Sequence, residues 1–530
     1  MADSCSNTNS LDEEDVAKFQ RVRATLKLQH LPQFASRLRQ KILSRADQDN
    51  GQAASATDCE VLPHPIFGSN HILFEIEFTD GASWLLKVPS NGYPDNFDET
   101  SARELRSEAL MLRLVKHETT IPVPEVYDFS DSCDNELGCP FILMEYVDGR
   151  NVIDAWFDKS ISLELQEQHR EQILRDLAKA LVQLNKFTFC QAGTPLFNPD
   201  GSLSGEVGPF TAVDDDAKWR SVSKRKSDEA DKSNDDHVSS VLFEVAPFSD
   251  LRPALTYKLD QRAPSSSDAE EQGLYKMLNL FIDLAVQECQ NQTQQSGGNS
   301  FVLARPHIGI QDVLVSEEDG SLLALLHWGS VLSEPQCMAG NESYPNWLTR
   351  DWDPVVYSYC EHPDHVEPNY KENSPSELAA YRGKWRELVS GLSDNPLATK
   401  LAHDSLVLHN LGIAAERCFF TRPIIARIFE ETRKAAAAAK DTKSLEGAEK
   451  GEGASEDDGK EGDGSNKEHE DMGETEVKEE HDDEEHDNDK EVCLKCDFSN
   501  VCAKLAKGEL EEEEHQRLVD GFRALFLHDG

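Results

Sequence analysis

Chemistry in this 530-residue chain has to come from a few side chains whose types and spacing permit it. His307, Asp312 and His327 lie in the stretch Ser300 to Trp328, SFVLARPHIGIQDVLVSEEDGSLLALLHW, with Arg305 just ahead of them. A histidine changes charge near neutral pH, so His307 is a candidate general base. Asp312 is the one acid in the turn between the first two apolar runs, able to hold a cation through oxygen. His327 offers nitrogen instead, which suits Zn²⁺, Cu²⁺ or Ni²⁺ rather than the oxygen-demanding Mg²⁺. Arg305 adds a fixed cation beside His307. Far upstream, Lys87 ends an apolar run, SWLLKV, and Glu108 interrupts an apolar helical stripe of Leu105, Leu112 and Val115. A carboxylate on a buried stripe is costly unless a cation meets it. Lys87 is one such cation; Arg103 or Arg113 on the same helix is the other reading.

The elements that must position these groups are legible as periodicity. Three short apolar runs, Phe301 to Ala304, Val313 to Val315 and Leu322 to Leu326, are split by polar turns, with Asp319-Gly320 at a tight reversal. That pattern predicts a β-hairpin. His71 to Phe78 alternates, Thr79-Asp80-Gly81 turns, and Ser83 to Val88 returns, predicting a second hairpin. Gly68-Ser69-Asn70 precedes it, and a single glycine there reads as a turn more readily than as a phosphate cradle. Pro140 to Gly149, PFILMEYVDG, is a buried strand running into a turn. Helical spacing covers 12–45 through Val16, Phe19, Val22 and Leu26, then Ile173 to Phe187, Gly273 to Cys289, Ala379 to Ala437 and Leu510 to Leu527. Lys224 to Asp236 is a polar insertion, and the aromatics of Tyr344 to Pro354 read as packing. No internal repeat stands out.

Composition bounds the function. The formal charge is −46, with 38% hydrophobic and 29% charged residues, which suits a globular protein and repels nucleic acid and anionic membranes. Much of the charge is local: residues 451–490 hold 19 acids against 4 lysines, a composition that predicts disorder. The opening MADSCSNTNSLDEEDV lacks a basic start and an apolar core, against a signal peptide, and no run of about 18 apolar residues occurs. Twelve mostly single cysteines suit reduced thiols. Cys493, Cys496 and Cys502, with His481 and His486 nearby, lack the second pair that a zinc site requires. A cytoplasmic location is expected, with the nucleus as the alternative.

Over roughly residues 62–435 the chain resembles the aminoglycoside phosphotransferase-like (kinase-like) family, in the form of a fungal-type member with degenerate motifs. That family usually reads His-x-Asp, four residues, Asn-apolar, a hairpin, then apolar-Asp-Trp. Here the spacing, the strands, Trp328 and the Ile121-Pro-Val-Pro124 lead-in are kept, while His307 stands at the catalytic Asp, Asp312 at the Asn and His327 at the metal-binding Asp. The resemblance implies an α+β, two-lobed protein-kinase-like fold: a helical extension and linker (1–61), a β-rich N-lobe (62–148), a helical C-lobe (149–440), a disordered acidic segment (441–490) and a terminal helix (491–530). It implies ATP as cofactor, its phosphates on Lys87 as Glu108 orients it and its adenine on backbone near Glu145 and Val147. It places Mg²⁺ at Asp312 and His327, whose chemistry disagrees with that metal. The leading expectation is therefore a pseudokinase-like protein that still binds nucleotide, with a small molecule or a protein as partner. The rivals are an active small-molecule phosphotransferase with a rearranged metal site, and an interaction protein working through its acidic tail.

Overall fold

The computed structural model describes residues 16–47, 57–214, 241–259, 268–295, 301–305, 308–329, 331–338, 340–361, 371–449 and 497–526. The N-terminal lobe is built on an antiparallel sheet ordered β1 (Cys59–Val61), β3 (His71–Phe78), β4 (Ser83–Pro89), β6 (Phe141–Glu145) and β5 (Val126–Ser130), with β2 (Ile66–Phe67) on β3. Gly68-Ser69-Asn70 is the turn between β2 and β3, and its Gly68 N–H donates to the His71 carbonyl at 2.8 Å. Strand alternation sorts the two faces of the sheet. Ile72, Phe74, Ile76, Phe78, Trp84, Leu86 and Val88 point one way and are buried under the leading helices α1 (Gln20–Thr25) and α2 (Leu31–Asp47). The amphipathic start of the chain is therefore the lid of the outer face. The opposite face, with Leu73, Leu85 and Lys87, receives α3 (Glu99–Glu118).

Helix α3 starts where Asp98 caps it, accepting the Ser101 N–H at 2.8 Å, and closes on Lys116 and His117, cations suited to the carbonyl end. Its stripe is buried as the spacing predicts, Glu108 included. Past the strand β7 (Arg150–Asn151) comes the helical lobe: α4 (Leu163–Leu181), α5 (Ala269–Gln295), α6 (Pro375–Leu392), α7 (Ala398–Glu416), α8 (Cys418–Glu449) and α9 (Glu512–Ala524). Small sheets are inserted among the helices. Strands β8 (Thr188–Phe189), β13 (Phe301–Ala304) and β16 (Leu332–Pro335) form one, and β9 (Thr194–Phe197) pairs with β10 (Leu203–Gly208). Strand β11 (Phe210–Asp214) pairs with β12 (Val241–Val245), and β14 (Val313–Val315) and β15 (Leu322–Leu325) form the hairpin, with β7 on its edge. One core joins α3, α4, the hairpin and α6 around Ala109, Leu177, Val313, Trp328 and Trp385, and a second joins α5, α7, α8 and α9.

This is the α+β arrangement of a β-rich lobe followed by a helical lobe. Two boundaries differ from the sequence reading. The first run of the Ser300 to Trp328 stretch is no partner of the second: β13 lies between β16 and β8, and only β14 and β15 make the hairpin. Helix α8 runs on to Glu449, so the start of the expected acidic segment at 441 falls inside a helix. Its remainder at 450–490, the insertion Lys224 to Asp236, Cys493, Cys496, His481 and His486 lie outside the described residues. Cys502 is a buried free thiol, with its pKa pushed up to about 12 by burial. Among the described residues no helix is long and apolar enough to cross a membrane.

Candidate functional site at the lobe interface

Lys87 and Glu108 meet. Lys87 Nζ lies 2.6 Å from Glu108 Oε1 and 2.8 Å from Oε2, with the residues 8% and 7% exposed. The local alternatives are engaged elsewhere: Arg103 pairs with Glu244 at 2.8 Å, and Arg113 donates to the Val126 and Tyr127 carbonyls. Burial pushes the Glu108 pKa up, but Lys87, His71 and His327 together hold it below the ordinary carboxylate value. His71, at the start of β3 on the same face as Lys87, has its pKa pushed down to about 3 by burial and by Lys87. It is therefore neutral at physiological pH. Sequence reading passed over His71; the signal was its phase in β3, two positions before Leu73, which pairs with Lys87.

The hairpin side of the site comes next. Register Val313 to Leu325 sets Asp312 beside the end of β15, where His327 takes a left-handed φ of +58°. That backbone region is uncommon for any residue but glycine, although histidine tolerates it better than most. It turns His327 Nδ1 onto Asp312 Oδ1 at 2.6 Å and leaves the side chain 64% exposed. Asp312 Oδ2 accepts the Gly309 N–H at 3.0 Å and stands 3.4 Å from Arg305 Nη2. Burial raises the Asp312 pKa, yet His327, Arg305 and the Gly309 N–H hold it below its usual value. Arg305 is 5% exposed and braces the loop, donating from Nε to the His327 carbonyl at 3.1 Å and from Nη2 to the Leu326 carbonyl. Burial pushes its pKa down to about 10. Trp328 is buried beneath the guanidinium and donates to the Leu325 carbonyl at 2.9 Å. The two halves touch at Gly329, where an added Cβ would stand 3.5 Å from Glu108 Oε2.

His307, the candidate base, lies outside the described residues. At the lobe junction the Glu145 N–H donates to Glu125 O at 2.8 Å and the Tyr146 N–H to Ser83 O at 3.1 Å. The Glu145 carboxylate accepts the Glu125 N–H at 3.1 Å, so this side chain is structural. A divalent metal fits the described residues poorly. Both Asp312 oxygens carry donors, Arg305 brings positive charge to one of them, and His327 presents nitrogen. Among the described residues no group of three or more His, Cys, Asp or Glu is placed to hold a metal ion. Asp312 and His327, expected together as metal ligands, contact each other at 2.6 Å.

Residues 70–233 match the family model described as the phosphotransferase enzyme family. Over these residues the chain is similar to that phosphotransferase family. The match takes in Lys87, Glu108, Glu145 and Val147 and ends before the hairpin. Among curated proteins, the chain is similar to altered inheritance of mitochondria protein 9 of Candida glabrata, at 28% identity over 154 residues, 26% of this chain and 24% of that protein. It is also similar to the protein of that name from Vanderwaltozyma polyspora, at 33% identity over 89 residues, 17% of this chain and 14% of that protein. The chain thus spans about a quarter of the length of the first of these relatives. Among solved structures it is similar to an amicoumacin kinase in complex with AMP-PNP, Ca²⁺ and amicoumacin, at 12% identity, TM-score 0.36, covering 79% of this chain and 96% of that one. A Plasmodium vivax ethanolamine kinase is similar at 11% identity, TM-score 0.32, covering 69% and 77%. The relatives' names place them in mitochondria, which overturns the cytoplasmic expectation drawn from the chain's opening and its cysteines.

Proposed function

We propose that this chain is a pseudokinase-like phosphotransferase relative that holds a nucleotide between its lobes and does not carry out Mg²⁺-dependent phosphoryl transfer. The observation that carries this reading is the unequal fate of the two halves of the site. The Lys87–Glu108 pair is intact at 2.6 Å, while the acid of the hairpin is engaged with His327 at 2.6 Å rather than open to a metal. Phosphoryl transfer asks the protein mainly for positioning and charge neutralisation, so losing the metal carboxylate removes most of what the protein supplies. A nucleotide would lay its phosphates on Lys87, which keeps a donor to spare, and its base on backbone near Glu145 and Val147. Burial of His71 as the neutral imidazole avoids a second cation against Lys87.

Calorimetry with ATP, in Mg²⁺ and in EDTA, tests the reading. Binding with no hydrolysis above background is the expected result. Tight Mg-ATP binding with turnover overturns it and makes Asp312 a working ligand. The triple replacement His307→Asp, Asp312→Asn, His327→Asp is expected to confer a Mg²⁺ dependence on binding that the natural chain lacks. From the relatives' names we also infer a mitochondrial address, to be tested by fractionation of cells expressing the chain with a C-terminal tag.

A further inference from the structure

Helix α5 carries a buried stripe at helical spacing, Met277, Leu278, Phe281, Ile282, Ala285 and Cys289, whose last member is a thiol. After β16 the Met338 N–H donates to the Pro335 carbonyl at 2.8 Å, and the turn so closed carries Cys337. The side chains of Cys289 and Cys337 are hydrogen-bonded to each other. Both are buried free thiols in the core of α5, α7, α8 and α9, and neither belongs to the core around the hairpin. A buried thiol is ordinarily a small, inert hydrophobe. Two features set this pair apart. One is access: Cys337 lines a cavity of about 640 Å³, with room for molecules well beyond the size of water, while Cys289 is fully buried.

The other is the unequal hold on the proton. The hydrogen bond to Cys337, then burial, then the charges of Cys337 and Asp404 push the Cys289 pKa well above its ordinary value, against a smaller opposing effect of Lys400. Cys289 therefore stays an S–H and donates to the Cys337 sulfur, an arrangement that favours the thiolate at Cys337. The thiolate is the form that attacks an electrophile. Sulfurs already in hydrogen-bonding contact have little distance left to close to the ~2.05 Å of a disulfide. The thiol that faces the cavity is thus the one suited to attack, and the enclosed thiol behind it is the one suited to follow.

We propose that Cys337 and Cys289 form a peroxide-reactive pair, Cys337 attacking and Cys289 resolving, which closes to a disulfide tying the turn after β16 to α5. The Cys337 sulfur attacks one peroxide oxygen, the O–O bond breaks, and the thiol proton leaves with the other oxygen as water. The Cys289 sulfur then attacks the sulfenic sulfur: the S–S bond forms, the S–O bond breaks, and the Cys289 proton leaves with that oxygen as a second water. The two sulfurs give up two electrons and the peroxide accepts them. No nucleotide takes part, so the outcome does not depend on the nucleotide reading. The test treats the reduced full chain with hydrogen peroxide, alkylates the remaining thiols in denaturant, and maps the peptides by mass spectrometry with and without reduction. The expected result is loss of both free thiols into a linked Cys289–Cys337 peptide that reduction splits, at a dose that leaves buried Cys502 alkylated. Cys289→Ser is expected to stop Cys337 at the sulfenic acid, captured by dimedone, and Cys337→Ser to leave Cys289 a free thiol. Mapping of the unsubstituted chain needs no variant to fold and decides the proposal by itself. Both thiols still alkylated after peroxide, Cys337 carried on to the sulfonic acid unlinked, or linked peptides that join only other cysteines would each overturn it. Oxidation of Cys289 in Cys337→Ser would overturn the order of attack.

Discussion

Glu108 is ionised in this fold although burial opposes it, because Lys87, at 2.6 Å, outweighs the lost hydration. A buried pair of this kind is expensive to break from one side. Glu108→Ala strands the ammonium and is expected to cost about 3–5 kcal/mol in denaturant unfolding, whereas Lys87→Met with Glu108→Leu is expected to be nearly neutral. A loss within measurement error for the single variant would mean that Lys87 rehydrates freely. The pH dependence has a definite sign. Since the folded pKa of Glu108 lies below 4.5, its stabilisation is present above that value and is lost as pH falls through the folded one. His71 acts earlier on the scale. The unfolded chain takes up its proton near pH 6.5 and the folded chain only near about 3, so stability declines as pH drops across that interval. His71→Gln is therefore expected to flatten the loss of stability between about pH 7 and about pH 5, the window of the unperturbed imidazole, as read from denaturation midpoints. An unchanged slope would show that another group governs that window.

At the scale of elements, the hairpin is fixed by its turn as well as by its strands. Gly320 has φ +74° and lies so close to α4 that an added Cβ would stand 2.9 Å from both the Cα and the carbonyl oxygen of His169. The strand next to it is anchored as well, the Leu322 N–H donating to Asp176 at 3.1 Å. Gly320→Ala then meets backbone on one side and an unfavourable φ on the other. A loss of roughly 1–3 kcal/mol is expected, the range for a strained backbone site, together with weaker ATP binding as the His327 end of β15 shifts. Wild-type stability in this variant would show that the hairpin can move away from α4. The same elements show what sequence makes legible. Lys87 and Glu108 stand out because a charge in an apolar pattern must find its opposite, and Asp319-Gly320 because only such residues turn a strand so tightly. Strand β16, Leu-Ser-Glu-Pro, has no such pattern: half of it is polar, and it is a strand only because β13 lies beside it. Asp312 and His327 were visible as residues but not as partners, since their contact depends on the positive φ at His327 and on Arg305 bracing the loop from a buried position.

On the scale of the whole molecule, the C-terminal residues belong to the helical lobe even though the acidic stretch lies between them and α8. Phe522 of α9 stacks on Phe281 of α5 with centroids 4.7 Å apart, and Phe498 sets its edge on Phe429 of α8 at 5.4 Å. Two glycines allow the close approach: a Cβ on Gly521 would reach the Thr432 carbonyl oxygen at 2.3 Å, and one on Gly273 would reach that of Cys502 at 1.8 Å. Phe522, Phe526 and Cys502 are buried, and Lys400 donates to the Phe526 carbonyl. Each large apolar side chain so buried contributes about 1.5–3 kcal/mol, enough in sum to hold a short segment without a covalent link. A protease site inserted within 450–496 and cut should therefore leave residues 497–530 bound: the two pieces are expected to co-elute on size exclusion, with melting lowered by only a few degrees. Gly521→Leu, which drives a branched side chain into the α8 backbone, is expected to release the cut piece. Separation of the pieces in the otherwise unchanged chain would mean that the covalent connection, and not the packing of Phe522 and Phe498, keeps the last helices on the body.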